Sequence, residues 1–182
     1  GMVAHFVVDE ENIRTLSRGA QGVRGMRLND DDVVVDMIVT DPISDESELK
    51  DYRLLTVSRK GYGKITPLSE YRLTNRGVMG VRTMRITEPD DGVVALKIVD
   101  DQDIIIISED GNSIRISSEN VREIGRNTKG VILIKLKEND YVSSIEICDP
   151  DDEDEPKKPE NKQKSASKDK KDKTSDSDDG EI

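Results

Sequence analysis

Three runs of basic residues share one spacing. Arg14, Arg18, Arg24 and Arg27 follow one another at intervals of four, six and three, and Arg72, Arg76, Arg82 and Arg85 repeat those intervals. A third run keeps Arg122, Arg126 and Lys135, carries Ile132 at the remaining position and adds Lys129. Residues 14–27 and 72–85 hold no acid, and 122–135 hold one, Glu123. An arginine fork takes two phosphate oxygens at once. Forks repeated at a fixed spacing suit a polyanion whose phosphates recur regularly and whose bases need not be read. The competing use of a repeated arginine is an ion pair with a carboxylate of a neighbouring repeat. Such a motif would repeat its acids along with its arginines, so acid-free runs favour phosphate.

The elements that must position these side chains are themselves repeated. Each run lies in a longer match, residues 13–28, 71–86 and 121–136, offset by 58 and then 50 residues. Upstream of the later two stands a turn glycine, Gly61 or Gly111, inside a hairpin pattern. Downstream of each comes a polar turn at 29–32, 88–92 or 138–140, then a strand pattern at 33–39, 93–99 or 141–147. The short apolar runs 54–57 and 104–107, bounded by glycine and charge, read as buried strands, and no stretch of 11 or more residues carries a 3.6-residue period. About four strands in roughly 50 residues is the size of one propeller blade, and blades of this kind stack to cover one another's apolar faces. The pattern predicts an all-β chain with blades at 1–40, 54–100 and 101–148 and an acidic inter-blade loop at 41–53. Gly19, Gly22, Gly77, Gly80 and Gly130 lie between the basic positions, where they are expected to permit positive φ and close backbone approach to phosphate.

Charge constrains this picture. The whole chain carries a formal −11, of which residues 149–182, with 13 acids and 8 lysines, supply −5. That segment has too few apolar side chains to offset its ordering entropy and reads as a disordered acidic, Lys/Ser-rich tail. Being mobile and acidic, it is placed to compete with phosphate for a basic surface or simply to solubilise. The remaining residues still sum to −6, so any polyanion surface must be a local positive band on a negative body.

Other chemistries find little support. His5 is the only histidine and aligns loosely with a basic position, which predicts a phosphate or surface role. No Cys/His cluster stands at zinc spacing, the acidic blocks do not follow a calcium loop, and no Gly-rich loop ends in Lys-Ser/Thr. No metal or other cofactor is therefore expected in this segment. Cys148, the single cysteine, forms no intrachain disulfide, fits a reducing cytoplasm and reads as a small apolar filler. Tyr52, Tyr62, Tyr71 and Tyr141 sit inside strand or turn patterns and are assigned to packing. No secretory leader or membrane-spanning run is visible, and Gly1, preceding Met2, receives no role.

Three segments carry a family resemblance: residues 61–71 (GYGKITPLSEY), 22–28 (GVRGMRL) and 125–134 (GRNTKGVILI). In order and spacing, over about residues 2–148, they resemble the C-terminal domain of the DNA gyrase A protein, part of a type IIA topoisomerase. The resemblance implies a β-pinwheel whose blades exchange strands and whose basic positions bind and wrap duplex DNA without sequence preference. It also implies that catalysis lies elsewhere: the family's catalytic tyrosine belongs to an N-terminal domain, and ATP and Mg²⁺ act in other parts of the enzyme. The partners it implies are duplex DNA, the remaining gyrase A domains and the gyrase B protein, in the cytoplasm at the nucleoid, with no membrane. The family domain has about six blades and a Gln-Arg-Arg-Gly-Gly-Lys-Gly box in its first. About three blades are counted here, and residues 17–22, 75–80 and 125–130 are degenerate counterparts of the box, as expected of the last half of such a domain. The equivalent domain of topoisomerase IV and a propeller-like interaction scaffold without DNA are the competing expectations.

Overall fold

The computed structural model describes residues 1–41 and 46–150; most of the acidic tail, 151–182, lies outside the described residues. Among the described residues every regular element is a strand or a short 3-10 turn. Strands β1 (Met2–Val3) and β4 (Val81–Arg82) form one ladder. β2 (Arg53–Ser58) and β3 (Tyr62–Pro67) form a hairpin flanked by β5 (Val93–Val99) and β8 (Val131–Ile132), in the order β5-β2-β3-β8. β6 (Asp103–Ser108) lies between β7 (Ser113–Ser117) and β9 (Val142–Cys148). All pairings within these sheets are antiparallel.

The hairpins follow from their turn residues. Gly61 and Gly111 adopt φ of 79° and 81°, and each amide donates back to a serine carbonyl, Ser58 or Ser108, at 3.0 Å. Alternation then sorts each strand's faces. On β2, Leu55 and Val57 join a core with Ile104, Ile106, Val142 and Ile145 of the third copy. Leu54 joins a second cluster with Leu68, Tyr71 and Leu96, against which Val3 and Ile38 of the first copy pack. The middle sheet is thus covered on both faces, and β2 is buried from Leu54 through Ser58. β6 is covered on one: Ile104 and Ile106 are buried, whereas Ile105 and Ile107 are half-exposed.

Strand exchange joins the copies. β8 belongs by sequence to the third copy yet completes the middle sheet through Tyr62↔Ile132 and Gly63↔Val131. β4 of the second copy pairs with the first in the same register, Met2↔Arg82 and Val3↔Val81. Gly1 therefore occupies the place of a hairpin glycine. Its carbonyl accepts Thr83 N–H at 3.1 Å, as that of Gly61 accepts Leu133 N–H at 2.9 Å.

Three expectations change. Residues 33–39, expected as a strand, join no ladder, and Val33, Met37 and Val39 are 73%, 80% and 72% exposed. Their counterpart β5 is held by β2, and among the described residues no strand lies beside 33–39 as β2 lies beside β5. The 41–53 segment is not wholly loop: Glu46–Lys50 forms a 3-10 turn, and Leu49 and Tyr52 pack against the second cluster. Gly19, unlike Gly22, Gly77, Gly80 and Gly130, does not take positive φ.

Candidate nucleic-acid interface

Arg14, Arg18, Arg24, Arg27, Arg72, Arg82, Arg85, Arg122 and Lys135 are exposed, and Arg76, Arg126 and Lys129 are half-buried. The loops that carry them run alongside one another. Gly77 N–H donates to Gly25 O at 2.6 Å and Arg27 N–H to Val78 O at 2.9 Å; at the next junction Arg85 N–H donates to Thr128 O, also at 2.9 Å. The second arginine of each later copy reaches back to the third of the copy before. Arg76 Nη1 donates to Arg24 O at 3.3 Å, and Arg126 Nη1 donates to Arg82 O at 3.1 Å. Arg82 Nη1 in turn donates to Asn127 Oδ1 at 3.4 Å. Two junctions built alike bring the basic positions of adjacent copies together.

Charge pairing separates these residues from the other cations. The ion pairs among the described residues use Arg53, Arg59, Lys60, Lys97 and Arg115, none of them in the repeated set. Lys129 is the exception within it. Its Nζ lies 2.8 Å from Glu88 Oε1 and 3.8 Å from the centre of the Tyr62 ring. Glu88 also takes Lys60 at 2.8 Å, and the two lysines hold its carboxyl below the usual value through hydrogen bonds, Lys129 more strongly. Lys129 is thereby committed in part to joining the middle sheet to the third copy.

Residues outside the basic set supply the frame. Gly130, with φ of 92°, passes so close to β3 that a Cβ there would lie 2.6 Å from Gly63 O. The expected backbone approach is thus made to the neighbouring strand. His5, expected in a phosphate or surface role, is half-buried at the junction with the second copy. Its main chain stands where Ile65 stands in the next copy, its carbonyl accepts Thr74 N–H, and its Nδ1 lies 2.9 Å from Tyr71 O. Tyr71 is buried, with its hydroxyl 2.7 Å from Thr83 Oγ1, and Tyr141 stacks under Arg59, in keeping with packing roles.

The polar turns at 88–92 and 138–140 hold structural acids. Asp91 Oδ1 accepts Lys60 N–H and Gly92 N–H; Asp140 Oδ1 accepts Asp110 N–H and Tyr141 N–H, all between 2.9 and 3.0 Å. Each carboxylate pins a hairpin turn to the strand that flanks it. The one signal of this in the sequence is an aspartate closely preceding the outer strand in both copies.

Among the described residues no group of three or more His, Cys, Asp or Glu stands close enough to hold a metal ion, and no helix is long and apolar enough to cross a membrane.

Repeated hairpin sheets, the middle one completed by a strand from the following copy, define a strand-exchanged propeller, a β-pinwheel. The family described as DNA gyrase C-terminal domain, beta-propeller, matches residues 6–41, 52–100 and 102–149, and the chain belongs to it. The DNA gyrase A protein of Staphylococcus epidermidis is 36% identical over 145 residues, covering 79% of this chain and 16% of that protein. Its Kosmotoga olearia counterpart is 38% identical over 148 residues, covering 81% and 17%. A solved gyrase A C-terminal domain superposes with a TM-score of 0.67 at 26% identity, covering 81% of this chain and 47% of that one. A topoisomerase IV C-terminal domain shares the fold, with a TM-score of 0.60 at 23% identity. The chain thus spans about a sixth of the curated gyrase A proteins it matches.

Proposed function

We propose that this chain binds duplex DNA through its repeated basic loops, independently of base sequence, and bends it along them. The observation that carries this is the division of labour among the cations. Apart from Lys129–Glu88, the structural ion pairs draw on cations outside the repeated basic set, while Arg14, Arg18, Arg72 and Arg122 make no side-chain hydrogen bond or ion pair among the described residues. Exposed guanidinium groups at equivalent places on adjoining loops meet the recurring phosphates of a duplex. Bending 20–30 bp costs about 1–6 kcal/mol, which several phosphate contacts per copy can offset. The net charge of −11 confines the duplex to that band, since other faces repel it.

Within a gyrase, such a segment would serve the larger A protein and its B partner by holding wrapped DNA for strand passage, at the nucleoid in the cytoplasm. Breakage, religation and ATP hydrolysis would lie in other parts of that enzyme, and this segment would need no cofactor.

Fluorescence anisotropy with a mixed-sequence duplex, titrated against salt, tests the proposal. The logarithm of the binding constant should fall linearly with the logarithm of salt, by about 0.9 for every phosphate neutralised. Replacing Arg14, Arg18, Arg72 and Arg122 together with alanine should flatten the slope by about 3–4 units. A parent chain that ignores duplex at low salt would leave the scaffold alternative standing and remove the DNA reading.

A further inference from the structure

Lys64 lies on β3 with none of its surface exposed. A fully buried lysine needs partners for three N–H donors and has no acceptor of its own. Here all three are met by the loop of the following copy: Gly125 O at 2.8 Å, Arg126 O at 2.5 Å and Thr128 Oγ1 at 3.1 Å. Thr128 Oγ1 itself donates to Gly125 O at 2.8 Å. Among the described residues no carboxylate lies within ion-pair distance of Lys64, so backbone oxygens hold its charge. Glu70, the carboxylate whose charge acts on it, accepts Arg126 N–H at 2.9 Å and so holds the same loop.

The lysine is not a requirement of the blade. In the register of the exchanged strands and hairpins, its counterparts are Ala4 in the first copy and Ile114 in the third. What it adds is confined to residues 125–130. That loop carries Arg126 and Lys129 and touches the preceding copy through Arg126–Arg82 O and Arg85 N–Thr128 O. Drawing the Gly125 and Arg126 carbonyls inward leaves Asn127 and Thr128 exposed at the surface.

We propose that Lys64 is a positioning residue for DNA binding: its protonated amine gathers the carbonyls of the 125–128 loop and so sets the loop that presents Arg126 beside Arg82. The inference rests on the DNA-binding reading above.

Titration should expose the role. Burial, opposed by the Glu70 carboxylate and helped by the Arg126 guanidinium, lowers Lys64 to about 8, and its partner across the hairpin, Thr56, carries no charge. A neutral amine keeps two N–H donors and turns a lone pair toward an oxygen, so the three-acceptor arrangement fails above that value. Stability moves the other way. Between about 8 and the unfolded value of 10.5, the unfolded chain binds more protons at this group than the folded chain does. Its contribution to folding therefore becomes more favourable as pH rises through that window. Loosened DNA binding accompanied by a stabilising contribution to the fold is a signature that loss of packing does not give.

The test uses the full chain as wild type, Lys64→Arg and Lys64→Met. Duplex binding is measured at about pH 7 and about pH 9.5 at fixed ionic strength, with amide hydrogen exchange over 125–130. Lys64→Met should bind about fivefold more weakly at the lower pH. It should also lose protection at 125–130 while keeping it at 75–80. The wild type should fall toward the Met variant at the higher pH, whereas Lys64→Arg, charged throughout, should hold its affinity. Equal affinities of wild type and Met variant at the lower pH, or parallel losses in all three proteins, would overturn the assignment, and the wild-type pH profile stands even if a variant fails to fold. Absent salt-dependent binding in the wild type sinks the DNA reading; unchanged exchange at 125–130 in Lys64→Met sinks the positioning role separately.

Discussion

At the scale of single residues, the acids carry more structure than their turns advertise. Asp140 is 4% exposed, and its carboxylate receives the backbone amides of Asp110 and Tyr141. Burial pushes its carboxyl up, but hydrogen bonds from Ser108, Asp110, Tyr141 and Asn112 outweigh burial and hold it below the ordinary 3.8. A carboxyl lowered on folding stabilises the protein above its unfolded value, and that contribution disappears as pH falls through the folded one. Asp140→Asn removes the ionised acceptor and should lower the urea midpoint at neutral pH. The difference from wild type should narrow as pH drops below about 4, because the wild-type group then protonates too. Urea denaturation followed by circular dichroism across that range checks it, and a gap that stays constant to low pH would show that the charge is not what matters. Sequence leaves this role unread because an aspartate in a turn next to other acids looks the same whether its oxygens face water or amides.

At the scale of elements, the hairpins are legible in the local pattern, whereas the exchange is expected only through the family resemblance. Gly61 and Gly111, each set between apolar runs, mark the two hairpins, and the structure forms both. β5 and β9 fall where the strand patterns end the repeats, within a residue of their observed bounds. Residues 33–39 carry an equally good pattern and form no strand, because a strand requires an edge to pair with and propensity supplies none. Which copy donates β8 is a matter of long-range register, which local pattern does not encode. The arginine spacing locates the loops, whereas their attachment to one another through Arg76 and Arg126 depends on contacts between copies. The exchange has a specific weak point. At Gly130 an alanine would suffer both the φ of 92° and the approach to Gly63 O. Gly130→Ala should cost about 1–3 kcal/mol, the range for a strained backbone position, and should expose the β3–β8 amides to exchange. Gly19→Ala is the control: no atom lies within 4 Å of its Cβ position and its φ is not positive, so its stability should stay within about 0.5 kcal/mol of wild type. Equal effects at the two glycines would mean that the close approach contributes nothing.

At the scale of the whole molecule, the copies differ in how completely they are covered. The middle sheet is packed on both faces, the third on one, and the first copy leaves Val33, Val34, Met37 and Val39 between 65% and 80% exposed. Its segment is anchored to the middle copy at few points: Asp36 Oδ2 accepts Leu96 N–H at 3.2 Å, and Ile38 packs into the second cluster. In the solved gyrase A domain, the portion matched by this chain is 47% of the total. Exposed apolar side chains such as these favour self-association, and the molecule's −11 opposes it through long-range repulsion that salt screens. The two forces therefore separate with ionic strength: raising salt should promote self-association while it weakens DNA binding. Met37→Lys places there the residue type found at its counterpart, Lys97 of β5, and combined with Val33→Thr and Val39→Thr it removes three of these exposed apolar side chains. Sedimentation velocity across a salt series should show the parent chain shifting to larger species as salt rises and the triple variant staying at monomer size. These side chains are already exposed, so each substitution should change the folding free energy by no more than about 0.5 kcal/mol. A variant that associates like the parent would place the adhesive surface elsewhere, with the open edge of β7 the next element to charge.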